Sequence, residues 1–222
     1  MDVSPIWSKV DSYLTETLIP TDPVLDAAMA ANTVAELPAI DVTPTQAKFL
    51  HLLAKIQGAK RILEIGTLGG YSTIWLARAL PQDGKLITME FEPKHAAVAQ
   101  TNISSAGLGG IVEIRIGRAA DSLALLQKEN PAPFDLIFID ADKPSNPIYL
   151  DWALKFSRKG TLIIVDNVIR EGEIANASSQ DAAITGTRTM FAMLAANPRV
   201  EATALQTVGS KGYDGFAIAL VL

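Results

Sequence analysis

From Lys60 onward, short unbroken apolar runs alternate with longer stretches whose apolar residues recur every three or four positions. The runs Arg61–Ile65, Lys85–Glu90, Val112–Ile116, Leu136–Asp140 and Leu162–Asp166 predict strands. Most are continuous apolar runs, as parallel strands buried on both faces should be. Between them, Ser72–Leu80, Pro93–Ala106, Asp121–Glu129 and Pro147–Phe156 predict helices. A last helix, Asp181–Ala196, precedes two apolar runs, Glu201–Val208 and Phe216–Leu222. Those two sit too close for a helical crossover, so an antiparallel hairpin turned by residues 209–215 is expected. The predicted class is α/β: a doubly wound, mostly parallel sheet with an antiparallel C-terminal hairpin.

The first 41 residues are helical in pattern but irregular. Ser4-Pro5 predicts a helix start, with Trp7, Val10, Leu14 and Leu18 on one face. Pro20 and Pro23 interrupt it, Val24–Asn32 predicts a second helix, and Pro38 ends the region. Thr43-Pro44 then opens a third, Thr45–Ile56, turning Phe49, Leu50, Leu53 and Ile56 to the core. We expect a single domain over residues 1–222, with an arm over 1–41 and a core over 42–222. The arm is expected to pack as a lid, over the site or across a two-fold homodimer.

One stretch organises the rest. Arg61–Ser72, RILEIGTLGGYS, is an apolar run, a turn with Gly66, Gly69 and Gly70, and a helix start. A strand, glycine turn and helix form the ligand-facing corner of a Rossmann-like unit. Glycines permit positive φ and close approach of a ligand. The spacing G-x-x-G-G lacks the second glycine of the dinucleotide fingerprint. Glu64 stands inside the strand end, where a carboxylate opposes a pyrophosphate and suits an ammonium or sulfonium group. S-adenosylmethionine carries both, and a carboxylate that Ser72 could meet. The alternative is a solvated strand-end acid beside a plain turn.

Composition narrows the partners. Hydrophobic residues make up 49% of the 222, and the net charge of -5 argues against a nucleic-acid backbone. The absence of cysteine excludes thiolate metal sites and cysteine nucleophiles. Neither a signal-peptide layout nor a membrane-length apolar run is evident, so no membrane partner and a cytoplasmic location are expected. Asn102 and Asn176 each open an N-x-S pattern, taken as chance.

Ligands of open α/β sheets bind beyond the carboxyl ends of strands. There stand Glu64; Glu90, suited to accept both hydroxyls of a ribose; Gly117-Arg118-Ala119-Ala120, small enough for a flat base; Asp140-Ala141-Asp142-Lys143; and Asp166-Asn167. Asp140, Asp166 and Asn167 are hard oxygen ligands that suit Mg²⁺. Each aspartate alone could simply cap a helix. Lys143 could balance the charge or act as a general base.

The motifs EIGTLGGYS, the acid Glu90, GRAAD, FIDADK and VDNV, in this order, resemble the cation-dependent class I O-methyltransferases, which include the catechol and caffeoyl-coenzyme A O-methyltransferases. The resemblance runs from about Val42 to the C-terminus. It implies cofactor contacts at Val42, Glu64, Gly66, Thr67, Ser72, Glu90, Ala119, Asp140 and Asp142. It implies a metal at Asp140, Asp166 and Asn167, with Lys143 and Asp140 catalytic near the acceptor hydroxyl. Three departures concern the acceptor: Pro144-Ser145-Asn146-Pro147 replaces a tyrosine-bearing pair, Glu171 replaces an asparagine, and KGYDGF replaces a plain GDG turn.

The expected function is S-adenosylmethionine- and Mg²⁺-dependent methylation of a hydroxyl on a small vicinal diphenol. A nucleotide-dependent oxidoreductase and a non-catalytic cofactor-binding protein are the alternatives.

Overall fold

The computed structural model describes residues 4–222. Met1–Val3, part of the expected arm, lie outside the described residues. The chain gathers into two compact units, one of Ser12–Pro131 and one of Ala132–Leu222 with the start of the chain up to Asp11. The first helix, α1 (Ser4–Leu18), runs through that boundary. Trp7 and Leu14 are half-buried on it, whereas Val10 and Leu18 are exposed. The expected apolar face is therefore only partly covered.

In the unit Ser12–Pro131, helices α2 (Pro23–Val34) and α3 (Pro44–Ile56) precede β1 (Arg61–Ile65), α4 (Tyr71–Ala77), β2 (Lys85–Glu90), α5 (Pro93–Ser105), β3 (Val112–Ile116) and α6 (Ala119–Lys128). Proline opens α2 and α3 behind a side-chain cap. Asp22 accepts from the amides of Val24 and Leu25 at 3.1 and 3.3 Å, and Thr43 from Gln46 at 3.3 Å. The strands run parallel in the order β3-β2-β1. Their carboxyl ends therefore share one edge. Ile62, Leu63, Ile65 and Leu86 are wholly buried, each worth roughly 1.5–3 kcal/mol. Helix α4 ends before the predicted Leu80. The chain tightens there into i→i−3 bonds, Ala79 to Leu76 and Leu80 to Ala77, both 3.1 Å.

The unit Ala132–Leu222 contains β4 (Phe134–Ile139), a 3-10 turn (Lys143–Ser145), α7 (Asn146–Lys155), β5 (Ser157–Asp166), a second 3-10 segment (Arg170–Ala175), α8 (Ala182–Ala196), β6 (Val200–Gly209) and β7 (Gly212–Val221). Its strand order is β4-β5-β7-β6, with β4 and β5 parallel and the other neighbours antiparallel. Strand β5 begins five residues earlier than its apolar run. The Thr161 hydroxyl accepts from the Arg158 amide at 2.9 Å and donates to the Phe134 carbonyl at 2.6 Å, drawing a polar start into the ladder.

The hairpin differs from expectation. Pairing continues from Val200↔Val221 to Gly209↔Gly212, so the turn is only Ser210-Lys211. Gly212 takes φ 96° there, and the Ser210 amide donates to the Asp11 carboxylate at 2.6 Å. The polar residues Tyr213-Asp214-Gly215, read as turn, belong to β7. The class is the expected one, α/β with Rossmann-like parallel strands and an antiparallel C-terminal hairpin. Among the described residues, no helix is long and apolar enough to cross a membrane.

Candidate active site

At the exits of β1 and β2, the buried carboxylate of Glu64 accepts hydrogen bonds from the hydroxyls of Ser72 at 2.7 Å, Thr88 at 2.7 Å and Thr73. Glu64 is wholly buried, so it is not a solvated acid. Thr88 spends its one proton on Glu64, so Thr67 must donate across the 2.6 Å gap between their hydroxyls. Ser72, expected to meet a ligand carboxylate, is turned to Glu64.

Glu90 sits at the end of β2, and its carboxylate reaches back over the glycine turn. One oxygen accepts from the amides of Thr67 at 3.2 Å and Leu68 at 2.7 Å; the other accepts from Glu92 at 3.0 Å. His95 Nδ1 lies 3.4 Å from the second oxygen. The Gly66 amide donates to the Met89 carbonyl at 3.0 Å, and the Gly117 amide to the Glu90 backbone carbonyl at 2.8 Å. These bonds lace the three strand exits together.

The glycines divide their labour. Gly66 and Gly70 hold φ of 103° and 85°. A Cβ on Gly69 would stand 1.9 Å from the Asn32 Oδ1 atom. That glycine makes room for a side chain of the protein itself. Val42, just ahead of α3, and Ala119, the first residue of α6, are apolar and join none of these hydrogen bonds.

The other unit carries the acidic group. Ile139 pairs with Val165, so Asp140 and Asp166 leave neighbouring parallel strands at one level. Lys143 Nζ donates to Asp140 Oδ1 at 2.9 Å. Asp142 is exposed and accepts from the hydroxyls of Ser145 and Tyr149. Asp166 is buried, and its Oδ1 accepts from the Asn167 amide at 2.8 Å. Asn167 takes φ 55°, and Arg170 and Glu171 are also left-handed, at 54° and 56°. Clustered backbone strain of this kind marks functional loops. The loop is clamped by Asp214 of β7, whose Oδ1 accepts from the amides of Ile169 at 2.9 Å and Arg170 at 3.0 Å.

Two carboxylates and an amide oxygen form a hard donor set that fits Mg²⁺. Among the described residues, no group of three or more His, Cys, Asp or Glu side chains could hold a metal. A cation at Asp140 and Asp166 would therefore have to take any third protein oxygen from outside that class of side chain, and Asn167 is the adjacent candidate.

Several residues here escaped sequence reasoning. Phe91 and Ile116, 61% and 59% exposed, stand at the exits of β2 and β3. An aromatic directly after a strand-end acid was the available signal for Phe91. Asp214 was hidden because its polar neighbourhood reads as a turn. Tyr149 and Thr88 carry no motif signal, and Thr67, expected at the cofactor, is also bonded to Thr88.

The sequence matches the O-methyltransferase family over residues 19–219. It is 55% identical over 216 residues to a catechol O-methyltransferase of Niastella koreensis, covering 97% of this chain and 98% of that one. It is 51% identical over 221 residues to a catechol O-methyltransferase of Mycobacterium tuberculosis, covering 100% and 99%. An O-methyltransferase from Bacillus cereus, solved in complex with SAH, superposes with a TM-score of 0.97 at 56% identity, covering 98% of this chain and 99% of that one.

Proposed function

The chain belongs to the O-methyltransferase family, and on that premise we propose that this S-adenosylmethionine-dependent enzyme methylates one hydroxyl of a catechol-like small molecule with a divalent cation such as Mg²⁺. The observation that carries the reading is the level placement of Asp140 and Asp166 on β4 and β5, with Lys143 held on Asp140. When bound, S-adenosylmethionine supplies an electrophilic methyl group, and the cation lowers the pKa of a hydroxyl.

The protein's own groups do the rest. Asp140, Asp166 and Asn167 would hold the cation, and the clamp from Asp214 keeps Asn167 in place. As a free amine Lys143 would take the proton that leaves the acceptor hydroxyl, and as the ammonium paired with Asp140 it would stabilise the oxygen left negative by that loss. Glu90 would accept from the ribose hydroxyls, and the exposed Phe91 and Ile116 would offer apolar surface to the base. Glu64 already has three hydroxyl donors. Its work is to hold the helix start and the glycine turn beneath the cofactor. Opposite charges cancel as the methyl moves, so alignment and exclusion of water supply most of the gain.

The same reading makes the substrate a small phenol and leaves no role for nucleic acid or membrane. It places the enzyme in the cytoplasm as a homodimer. The exposed apolar residues Ile6, Val10, Tyr13 and Leu18 of α1 support assembly. An oxidoreductase or a non-catalytic binder would not account for the family membership.

The test is methyl transfer to a panel of diphenols, with EDTA and with added Mg²⁺. Catechols should turn over, EDTA should abolish turnover, and Mg²⁺ should restore it. Guaiacol-type acceptors, with one oxygen already methylated, should react poorly. Full activity in EDTA would remove the cation from the mechanism. Asp166→Ala should behave as chelation does, with SAH binding largely kept.

A further inference from the structure

A chain of buried polar side chains runs behind the glycine turn and has no part in the chemistry described above. Asp41, Asn32 and Asn102 are each at most 8% exposed. They come from the connection before α3, from α2 and from α5. Asn32 Nδ2 donates to Asp41 Oδ1 at 3.0 Å. A carboxylate oxygen accepts, so this bond fixes which way the Asn32 amide faces. Its Oδ1 is left toward Asn102, whose Nδ2 donates to it at 3.2 Å and to the Gly69 carbonyl at 2.9 Å. The Asp41 charge thus orients Asn32, the Asn102 amide also reaches the Ala28 carbonyl at 3.5 Å, and the chain ends on the backbone of the glycine turn.

The end point gives the chain its meaning. Leu68 is left-handed at φ 49°, which costs free energy in a branched residue. Its N–H is held by Glu90 at 2.7 Å, and the carbonyl one residue later is held by Asn102. The strained peptide is therefore gripped from both sides. One grip is the acid assigned to the ribose, and that acid must share its oxygens once ribose hydroxyls arrive. The other grip does not change. Gly69 is glycine because a Cβ would overlap Asn32, so the turn's sequence is fitted to the network.

We propose that Asn102, oriented by Asn32 and Asp41, is a positioning residue for the cofactor: it holds the Gly69 carbonyl and so keeps the Gly66–Gly70 turn in its binding shape. The inference rests on the cofactor lying against that turn. It also gives Asp41 a task next to Val42: the same carboxylate that orients Asn32 anchors the chain segment leading into α3.

Isothermal titration with SAH and steady-state kinetics on a diphenol test it, using wild type, Asn102→Ala and Asp41→Asn. Asn102→Ala should raise the SAH Kd and the KM for S-adenosylmethionine by about tenfold, the usual weight of one hydrogen bond. The KM for the diphenol should stay unchanged. Asp41→Asn removes the charge that fixes the Asn32 amide and should raise the SAH Kd in the same direction as Asn102→Ala, by a smaller factor. A lower Tm with an unchanged KM for S-adenosylmethionine would make Asn102 purely structural and overturn the proposal. Wild type that fails to bind SAH would instead refute the cofactor assignment. If Asn102→Ala does not fold, hydrogen exchange on wild type decides. SAH should protect α2 around Asn32 and the turn at Gly66–Gly70 with one midpoint, and an α2 indifferent to saturating SAH would end the idea.

Discussion

Lys143 and Asp140 form an ion pair of 2.9 Å in which the lysine side chain keeps 9% of its surface in solvent and the aspartate 23%. The ammonium is thus aimed by its neighbour and by the 3-10 turn that carries it. Lys143→Ala should lower kcat by about 10²–10⁴-fold, the weight of a positioned acid–base group. The loss should shrink as pH rises and the free diol ionises unaided. Lys143→Arg keeps the pair but cannot release a proton, so its activity should stay low. Titration of both variants with SAH should give the wild-type Kd.

Glu90→Ala removes three amide acceptor contacts at once. We expect SAH binding to weaken by roughly 1.5–3 kcal/mol, the range for hydrogen bonds to a charged group. Glu90→Gln retains one acceptor oxygen and should fall between. Undiminished binding in the alanine variant, read by calorimetry, would take Glu90 out of the site.

Gly186 lies on α8 where a Cβ would meet the Lys143 carbonyl at 2.6 Å and the Pro144 Cα at 2.8 Å. The obstruction is backbone, so the turn bearing Lys143 must shift. Gly186→Ala should cost about 1–3 kcal/mol of stability through overpacking. It should also reduce kcat, although the residue touches no substrate. Thermal unfolding and turnover measured together check this; wild-type values in both would sink it.

Two groups contribute to the acid side of the stability profile. Burial holds His51 below its ordinary value; the Trp75 carbonyl opposes this, and Lys48, Lys55 and Arg78 add to it. Below about 6.5 the unfolded chain takes up that proton first, so stability should fall as pH drops from there toward the folded value. The hydrogen bond from Arg78 chiefly holds Asp22 below its ordinary value, against a partial burial cost. Its contribution is complete above about 4 and is lost as pH falls through the lower folded value. Unfolding followed from pH 7.5 to 3 should show both phases. The first should vanish in His51→Gln, and the second should shrink in Asp22→Ala, leaving the part that belongs to Glu113 and Glu129.

Periodicity alone located the parallel strands well: β1, β2 and β3 begin and end where their apolar runs do. The buried β1 and β2 read as mostly apolar runs, whereas the half-buried β3 alternates apolar residues with Glu113 and Arg115. The chemistry at their exits was legible because acids are rare after such runs. What stayed hidden was polar sequence with a tertiary purpose. Tyr213-Asp214-Gly215 looks like a turn to any local rule, yet Gly215 lies within 2.2 Å, measured from its would-be Cβ, of the Leu205 carbonyl and belongs to a strand. Asn102 passes for a chance motif residue because its partners lie 33 and 70 positions away. Glu64 showed its charge but not its three hydroxyl donors, two of which lie beyond the glycine turn and one on the next strand.

The clamp on the loop after Asp166 also sets an order of events during synthesis. Asn167, Arg170 and Glu171 hold left-handed backbone that costs of order 1–3 kcal/mol each. The carboxylate that secures the loop is made 45 residues later, at Asp214. A nascent chain can complete the parallel strands and the glycine turn while this loop is still loose. The strained loop after β5 is therefore secured only once β7 has paired with β5, so its shape depends on sequence made well after its own.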